Sequence, residues 1–488
     1  MRHSLIPFTI LSFVLLLSCL PQSAHAAKAA PAGASAQALR PGTAKMAASA
    51  RVSMLDSVEA AMAYNPELKA VQEKRQVSSH AVDKAQSGFF PRIAAEAGGG
   101  FSQRSDAVTR GNKEEHEIRA FGDAGVRLIQ PLFQGGYTVA DVAARRAQFD
   151  AADSQLEDQG ASLAFQAIVA HVEVLRRAEL VTLAKNNVKE HAKILSTVRA
   201  RMSGQVATAG ELHQVEGRYA RAKATLSSYE SALDAAHASY LNATGKNAQN
   251  LMRAPAPTKS YGSVDEVFQA CLAGNKRIQS AIAEVEMAKG EKDMAKSRFY
   301  PSINLEAGPS WYNRDGRRYD RSRVTDVSVG LRLRWDLLSG GEDVANVAIA
   351  GARIRQARQN VHTIMDALGR DIETTYSLYL SSRDQIALYE SAKKSSRLAR
   401  EDYLRQFLSA QRNLLDVLDA ENDYFYAAGQ QVMCQGDRII AGYRLLALSG
   451  DLLPSLGLNP ARLRVNTPTT TESADNLRFA FPTPLRGK

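Results

Sequence analysis

Ser302-Ile303-Asn304-Leu305-Glu306-Ala307-Gly308-Pro309-Ser310-Trp311 sets Ile303, Leu305, Ala307, Pro309 and Trp311 against Asn304, Glu306, Gly308 and Ser310. A second run, Asp326 to Trp335, repeats the pattern: Val327, Val329, Leu331, Leu333 and Trp335 oppose Asp326, Ser328, Gly330, Arg332 and Arg334. A period of two belongs to a β-strand. Runs of ~9–11 residues with one apolar and one polar face have the length and pattern of strands that cross a bilayer and line a lumen. Trp311 and Trp335, the only two tryptophans, stand at run ends, where a membrane aromatic girdle lies. Hairpins packed on a soluble core alternate in the same way, so the rest of the chain must decide.

Working outward, the same order of signals occurs twice. Gly88-Phe89-Phe90-Pro91-Arg92-Ile93 is echoed by Arg298-Phe299-Tyr300-Pro301-Ser302-Ile303 at an offset of 210, and Asn65-Pro66-Glu67-Leu68 lines up with Asn275-Lys276-Arg277-Ile278. Downstream, Leu132-Phe133-Gln134-Gly135-Gly136 matches Leu337-Leu338-Ser339-Gly340-Gly341, and Gly245 matches Gly450, at an offset of 205. A unit of ~200 residues is far longer than a solenoid repeat. In each copy a helical stretch ends at the proline, because proline disfavours helix at the preceding residue and lacks an N–H. Ile93 to Phe101 and Arg119 to Leu132 occupy the strand places of the first copy.

Very long helices follow the hairpins. No proline occurs from Gly136 to Met202 or from Gly341 to Ser409, which predicts arms of roughly 100 Å at 1.5 Å per residue. Val174, Val181, Val188, Leu195 and Met202 recur every seven residues, with Ala178 and Ala192 between, a heptad seam for close packing. Turns are expected at Ser203-Gly204-Gln205 and Ser409-Ala410-Gln411, with return helices over 211–241 and 414–448. Four strands cannot close a barrel, since ~8 is the practical minimum, and lipid forbids an open edge. Subunits must share one, and 8, 12 or 16 strands are all consistent with the spacing.

The N-terminus carries a targeting signal. Arg2 and His3 precede the one long apolar run, Leu5 to Leu20, and Ala24-His25-Ala26 follows it, the three parts of a secretory signal peptide, 1–26. At 16 residues this run is too short for a membrane-spanning helix, and no second run approaches its length. A lipoprotein box at Leu16-Leu17-Ser18-Cys19 is the rival reading, disfavoured by bulky Leu17. Removal of Cys19 leaves Cys271 and Cys434, too few for a disulfide framework and expected to be small buried residues. Residues 27–51 are Ala-rich with Pro31, Gly33, Pro41 and Gly42 and read as a flexible leader. With 61 Lys+Arg against 51 Asp+Glu among 488 residues the net charge is +10, spread over solvated helix faces rather than gathered into a site. The basic stretches 312–323 and 102–117 have no nucleic-acid-binding fold beside them and read as solvated loops, suited to facing anionic lipid head groups.

The duplicated helix–hairpin–helix, the Phe-Pro and Tyr-Pro junctions, and above all Gln411-Arg412-Asn413-Leu414-Leu415-Asp416-Val417-Leu418-Asp419-Ala420-Glu421 resemble the TolC family of outer-membrane channel-tunnels. The resemblance covers about 52–450. It implies a mainly α fold with a transmembrane β-barrel: a homotrimer whose twelve strands form one barrel and whose twelve helical arms form a periplasmic α-barrel. It divides the chain into copies at 52–245 and 263–450, an equatorial segment at 246–262, and an equatorial segment and tail at 451–488. It implies the partners of that family, a periplasmic adaptor and an inner-membrane transporter, in type I protein secretion or in drug or metal efflux. The run Ala209 to Arg218 is similar to members that work in type I secretion.

Family roles pass to matching positions. Asp416 and Asp419 correspond to the aspartates ringing the periplasmic aperture; Asn413 with Asp416 also reads as a helix N-terminal cap. Arg412 corresponds to a latching arginine with Glu211 as its expected partner, and Phe407 replaces a latch tyrosine, so that hydrogen bond is missing. Ser203, Gly204, Gln205, Ser409, Ala410 and Gln411 stand at the adaptor-docking tips and depart from the family's Val-Gly-Leu motif. No HExxH, GxSxG, P-loop or Cys/His ligand spacing occurs, so no enzyme, metal or cofactor is expected. His171 and His191 read as packing residues. The reading from another class is a pore-less periplasmic scaffold or adhesin, against which the alternating strands argue.

Overall fold

The computed structural model describes residues 51–103, 105, 110–111, 118–314, 323–409 and 411–464. The signal peptide with Cys19, the leader up to residue 50, Arg104, Lys113, Arg317, Arg318, Arg321, Ala410 and the tail from 465 lie outside them.

The first copy runs α1 (Met54–Tyr64), α2 (Pro66–Gln86), β1 (Arg92–Gln103), β2 (Ile118–Gln134), α3 (Tyr137–Ser203) and α4 (Ala209–Thr244). The second repeats that order with α5 (Val264–Gly274), α6 (Lys276–Lys296), β3 (Ser302–Arg314), β4 (Arg323–Arg334), α7 (Glu342–Leu408) and α8 (Leu414–Ser449), and a short α9 (Leu452–Ser455) closes it. The arms α3 and α7 are both 67 residues long, about 100 Å at 1.5 Å per residue. Equivalent residues start equivalent helices. Asn65 and Asn275 each accept hydrogen bonds at the heads of α2 and α6, which satisfies amides a helix start leaves open. Each Gly-Gly pair turns strand into arm with positive φ, at Gly135 and Gly136 and again at Gly340 and Gly341.

The four strands form one antiparallel sheet in the order β1-β2-β3-β4. Within the sheet the copies are joined through β2–β3, which pairs Gly125 with Ser310 and Ala124 with Trp311. Register shifts between Pro131 and Phe133, where proline cannot donate to the ladder. The ladder runs further than the alternation predicts: Tyr312 pairs with Val324 and Asn313 with Arg323, so Tyr312, Arg314 and Arg323 belong to strands rather than to the connection. Trp335 conversely lies one residue beyond β4. Val327, Val329, Leu331 and Leu333 are 62–73% exposed, a continuous apolar face without protein cover in the subunit. Among the described residues no helix is long and apolar enough to cross a membrane.

The main core lies midway along the molecule, where Leu156, Leu163 and Ile168 of α3 meet Val58, Val267, Ile372 and Leu446. Val52 bridges to Leu251 in parallel, and the Tyr443 hydroxyl donates to the Pro255 carbonyl at 3.2 Å. Arg464 pairs with Asp153 and Glu157 at 2.6 and 2.9 Å, folding the C-terminal segment back onto α3. The heptad seam on α3 is partly shifted. Val174, Val181 and Leu195 are buried, but Met202 is exposed and the stripe passes through Ala184, Asn187 and His191 instead of Val188.

Candidate functional site: the tips of the arms

Both arms turn back at the end remote from the sheet. After α3, Gly204 caps the helix and Gln205 takes a φ of 59° while the Val206 amide donates to the Arg201 carbonyl at 2.9 Å. Thr208 starts α4 with a capping box: its amide donates to Glu211 Oε2 at 2.7 Å and its hydroxyl oxygen accepts from the Glu211 amide at 3.2 Å. Ser409 ends α7, the Gln411 amide donates to the Gln406 carbonyl at 2.8 Å, and Asn413 accepts from the Asp416 amide at 2.9 Å as α8 begins.

The Leu-Asp-Val-Leu-Asp-Ala stretch divides by helix face. Leu414, Val417 and Leu418 are buried against Ile194, Val198, Val215 and Phe407. Asp416 and Asp419, three apart, are left on the open side, with side chains 37% and 54% exposed. Neither carboxylate is bare: Arg412 Nη1 donates to Asp416 at 3.1 Å, and Arg218 of α4 reaches Asp419 at 3.1 Å. Each subunit thus presents two acids compensated by two arginines.

The latch residues are placed differently from the expectation. Within the subunit Arg412 does not meet Glu211. Its guanidinium lies 3.7 Å from the centroid of the Tyr403 ring and bonds Gln406 and Asp416, while Glu211 is held by Thr208. Phe407 is buried under Arg201, whose guanidinium stacks 4.5 Å from the ring centroid and donates to the Phe407 carbonyl at 2.6 Å. Arg201, Arg218, Arg400 and Glu421 were not singled out by pattern, since a polar residue on a helix acquires a partner only when a second helix is brought alongside.

Two residues past Asp419 and on the opposite face of α8, Glu421 is buried and accepts from Arg400 Nη1 at 3.2 Å, while Arg400 also stacks on Tyr424. Burial pushes the Glu421 carboxyl up to about 7, although Arg400 opposes the shift. The ordinary value is 4.5, so between there and about 7 the folded chain holds a proton the unfolded one releases, and stability falls as pH rises through that window. Glu421→Gln keeps an acceptor for Arg400 and cannot ionise. The wild type is expected to lose on the order of 2 kcal/mol more than this variant between pH 5 and pH 8, read as thermal midpoints of both proteins at the two pH values.

Elsewhere, the imidazole of the fully buried His171 donates from Nε2 to the Met252 carbonyl at 2.8 Å and accepts at Nδ1 from Ser57, which Tyr240 meets at 2.8 Å. Burial lowers its basicity, and with every partner internal the group clamps α1 to α3 rather than meeting a substrate. Cys271 and Cys434 are buried and unpaired, with the Cys271 thiol pushed up to about 11 by burial. Among the described residues no cluster of His, Cys, Asp and Glu is arranged to hold a metal.

Known proteins share this architecture. The chain is 24% identical over 381 residues to the outer membrane efflux protein BepC of Brucella suis, covering 78% of this chain and 81% of that protein. It is 21% identical over 417 residues to the alkaline protease secretion protein AprF of Pseudomonas aeruginosa, covering 82% and 84%. The crystal structure of CusC superposes with a TM-score of 0.72 at 16% identity, covering 83% of this chain and 92% of that one, a likeness of fold. The sequence profile of outer membrane efflux proteins matches residues 58–246 and 267–451, that is, both copies of the helix–hairpin–helix. With both halves matched and the strands, arms and order of elements in agreement, the chain belongs to the outer membrane efflux protein family, non-enzymatic transport components of the outer membrane with a periplasmic helical part.

Proposed function

We propose that three copies of this chain form a duct that carries proteins out of the cell in type I secretion, receiving them from a periplasmic adaptor and an inner-membrane transporter. The observation that carries this reading is the four-stranded sheet with its uncovered apolar face and its two outer strands, β1 and β4, each paired on one side only. Lipid tolerates neither open edge, and three such sheets joined edge to edge make twelve strands. Along the ladder Trp335 lies one step beyond Arg334, the partner of Ser302, hence ten steps from Trp311. Ten steps span about 33 Å along a strand and about 25 Å along the membrane normal at a tilt of about 40°, the height of an outer-membrane apolar band. Trp311 and Trp335 then belong to its two opposite girdles.

The arms extend from the other end of the sheet, and in this reading Asp416 and Asp419 ring the far aperture of the trimer. Arg412 and Arg218 hold those carboxylates in the closed state, and the turns at Ser203, Gly204, Gln205, Ser409 and Gln411 face the adaptor. Relatives named for protease secretion support a protein cargo. The purified protein is expected to run as a detergent-stable trimer and to open planar bilayers with a small conductance, and to be retained by the adaptor of a type I transporter. A monomer without conductance overturns the duct; retention only by the adaptor of a drug or metal pump overturns the cargo class.

A further inference from the structure

The duplication repeats contacts as well as elements. An offset of 210 carries α2 and β1 onto α6 and β3, and one of 205 carries β2 and α3 onto β4 and α7. Within the subunit, β2 pairs with β3 and α3 lies against α6. The equivalent partners of β4 and α7 are β1 and α2, yet the sheet order puts β1 and β4 at opposite edges. The arms show the same gap. Ala144 of α3 is 1% exposed where it meets Gly290 of α6, whereas its equivalent on α7, Ile349, is 53% exposed. The open edges are also unguarded. Proline on an edge strand blocks pairing, but Pro131 and Pro309 lie in β2 and β3, and β1 and β4 hold none.

The register of the inner seam transfers with the same offsets. Across β2–β3, Ile129 faces Glu306, Leu128 faces Ala307 and Ala124 faces Trp311. Carried forward by 205 on one strand and back by 210 on the other, these pairs become Arg334 with Glu96, Leu333 with Ala97 and Val329 with Phe101. Faces match throughout, as opposed residues of a ladder require. Ala97 pairs with Ala124 and so shares the apolar side of Trp311, while Glu96 pairs with Gly125 and shares the polar side of Ser310. A slip of one residue would oppose apolar to polar. A slip of two would set Glu96 against Arg332, which Glu306 already holds at 2.8 Å. Arg334, with its side chain 77% exposed, has within its own subunit only a 3.5 Å approach to Asp336 as an ion pair. Where the inner seam places Ile129 beside its glutamate, the outer edge therefore places an arginine.

We propose that β4 pairs with β1 of the next copy in this register, with Arg334 bonded to Glu96 of the next copy at every subunit seam and α7 seated on α2 of the next copy. The inference rests on the reading of three sheets joined edge to edge and adds which residues meet there. The test is oxidation of the full-length protein in detergent, carrying Ala97→Cys and Leu333→Cys. Directly opposed residues of an antiparallel pair have Cα atoms about 4.5–5.5 Å apart, within disulfide reach. In one subunit the same two positions are three strand spacings apart, about 14 Å, so a bond forms only between copies; Cys271 and Cys434 are buried. Most of the protein is expected to run as a covalent trimer on denaturing gels without reductant. Ala97→Cys with Leu331→Cys, the pair that a two-residue slip would oppose, is expected to stay unlinked. Arg334→Glu is expected to lower the temperature at which the oligomer dissociates, and Glu96→Arg in the same chain to restore it. A trimer that links through Leu331→Cys, or through neither pair, overturns the register alone, and a reversal without rescue overturns the ion pair. A protein that never assembles overturns the trimer with it.

Discussion

Asp416→Ala combined with Asp419→Ala is expected to raise the single-channel conductance several-fold and to displace the reversal potential in a salt gradient toward that of anions. The direction follows from the pairing. Each carboxylate faces an arginine at 3.1 Å, Arg412 for Asp416 and Arg218 for Asp419. Deleting the acids therefore uncovers two positive charges per subunit rather than leaving a neutral rim. In a trimer that amounts to six at one constriction, where a ring of fixed charge sets the barrier for permeant ions. A tenfold change in the anion-to-cation permeability ratio corresponds to about 1.4 kcal/mol, a modest demand on unscreened charges a few ångströms from the path. Loss of the Arg218–Asp419 pair also unties α4 from α8, which favours the wider aperture. Paired charges leave the wild type only weakly cation-selective. An unchanged reversal potential would mean that these residues do not line the constriction.

The second large effect is on assembly. Gly450 ends α8 at a φ of +84°, and a Cβ there would run into the backbone carbonyl of Gly274, the residue that ends α5. An L side chain in that region costs about 1–2 kcal/mol by itself. The clash adds to it because the Gly274 carbonyl is not free to retreat: the next residue, Asn275, is tied to the end of α8 by its side-chain amide, which donates to the Leu448 carbonyl at 2.8 Å. Gly450→Ala is expected to destabilise the fold by about 3 kcal/mol or more, read as loss of the heat-resistant oligomer on gels and a fall in thermal midpoint. Gly245, the equivalent cap of the first copy, has a φ of +70°, and the nearest atoms a Cβ would meet there belong to the Tyr64 side chain rather than to backbone. Its alanine variant should be milder, and equal effects at the two positions would refute the backbone explanation.

These two cases show what a pattern of residues can and cannot carry. The Gly245 and Gly450 match and the twofold Asn, Pro and Gly-Gly signals are local: each acts on the backbone of its own residue or of residues within three positions, so the duplication and the order of elements were legible directly. The alternation from Ile303 to Trp311 likewise needs only the two-residue period of a strand. The pairings at the tips were not legible in this way. Glu211 was expected to meet Arg412, yet each is satisfied within four residues in sequence, by Thr208 and by Asp416. Short-range partners win because holding them costs less side-chain and loop entropy than reaching across helices.

By itself the sequence determined the twice-written helix–hairpin–helix, strands apolar on one side, proline-free arms near 100 Å and the turn carrying Asp416 and Asp419, because hydrophobic period, proline, glycine and capping residues act over a few neighbours. Only the tertiary structure decided which arginine neutralises which carboxylate and that Glu421 is buried with its carboxyl pushed up. Those outcomes depend on how α3, α4, α7 and α8 lie beside one another, and burial and charge pairing between residues some 20 to 200 positions apart arise only when the arms pack.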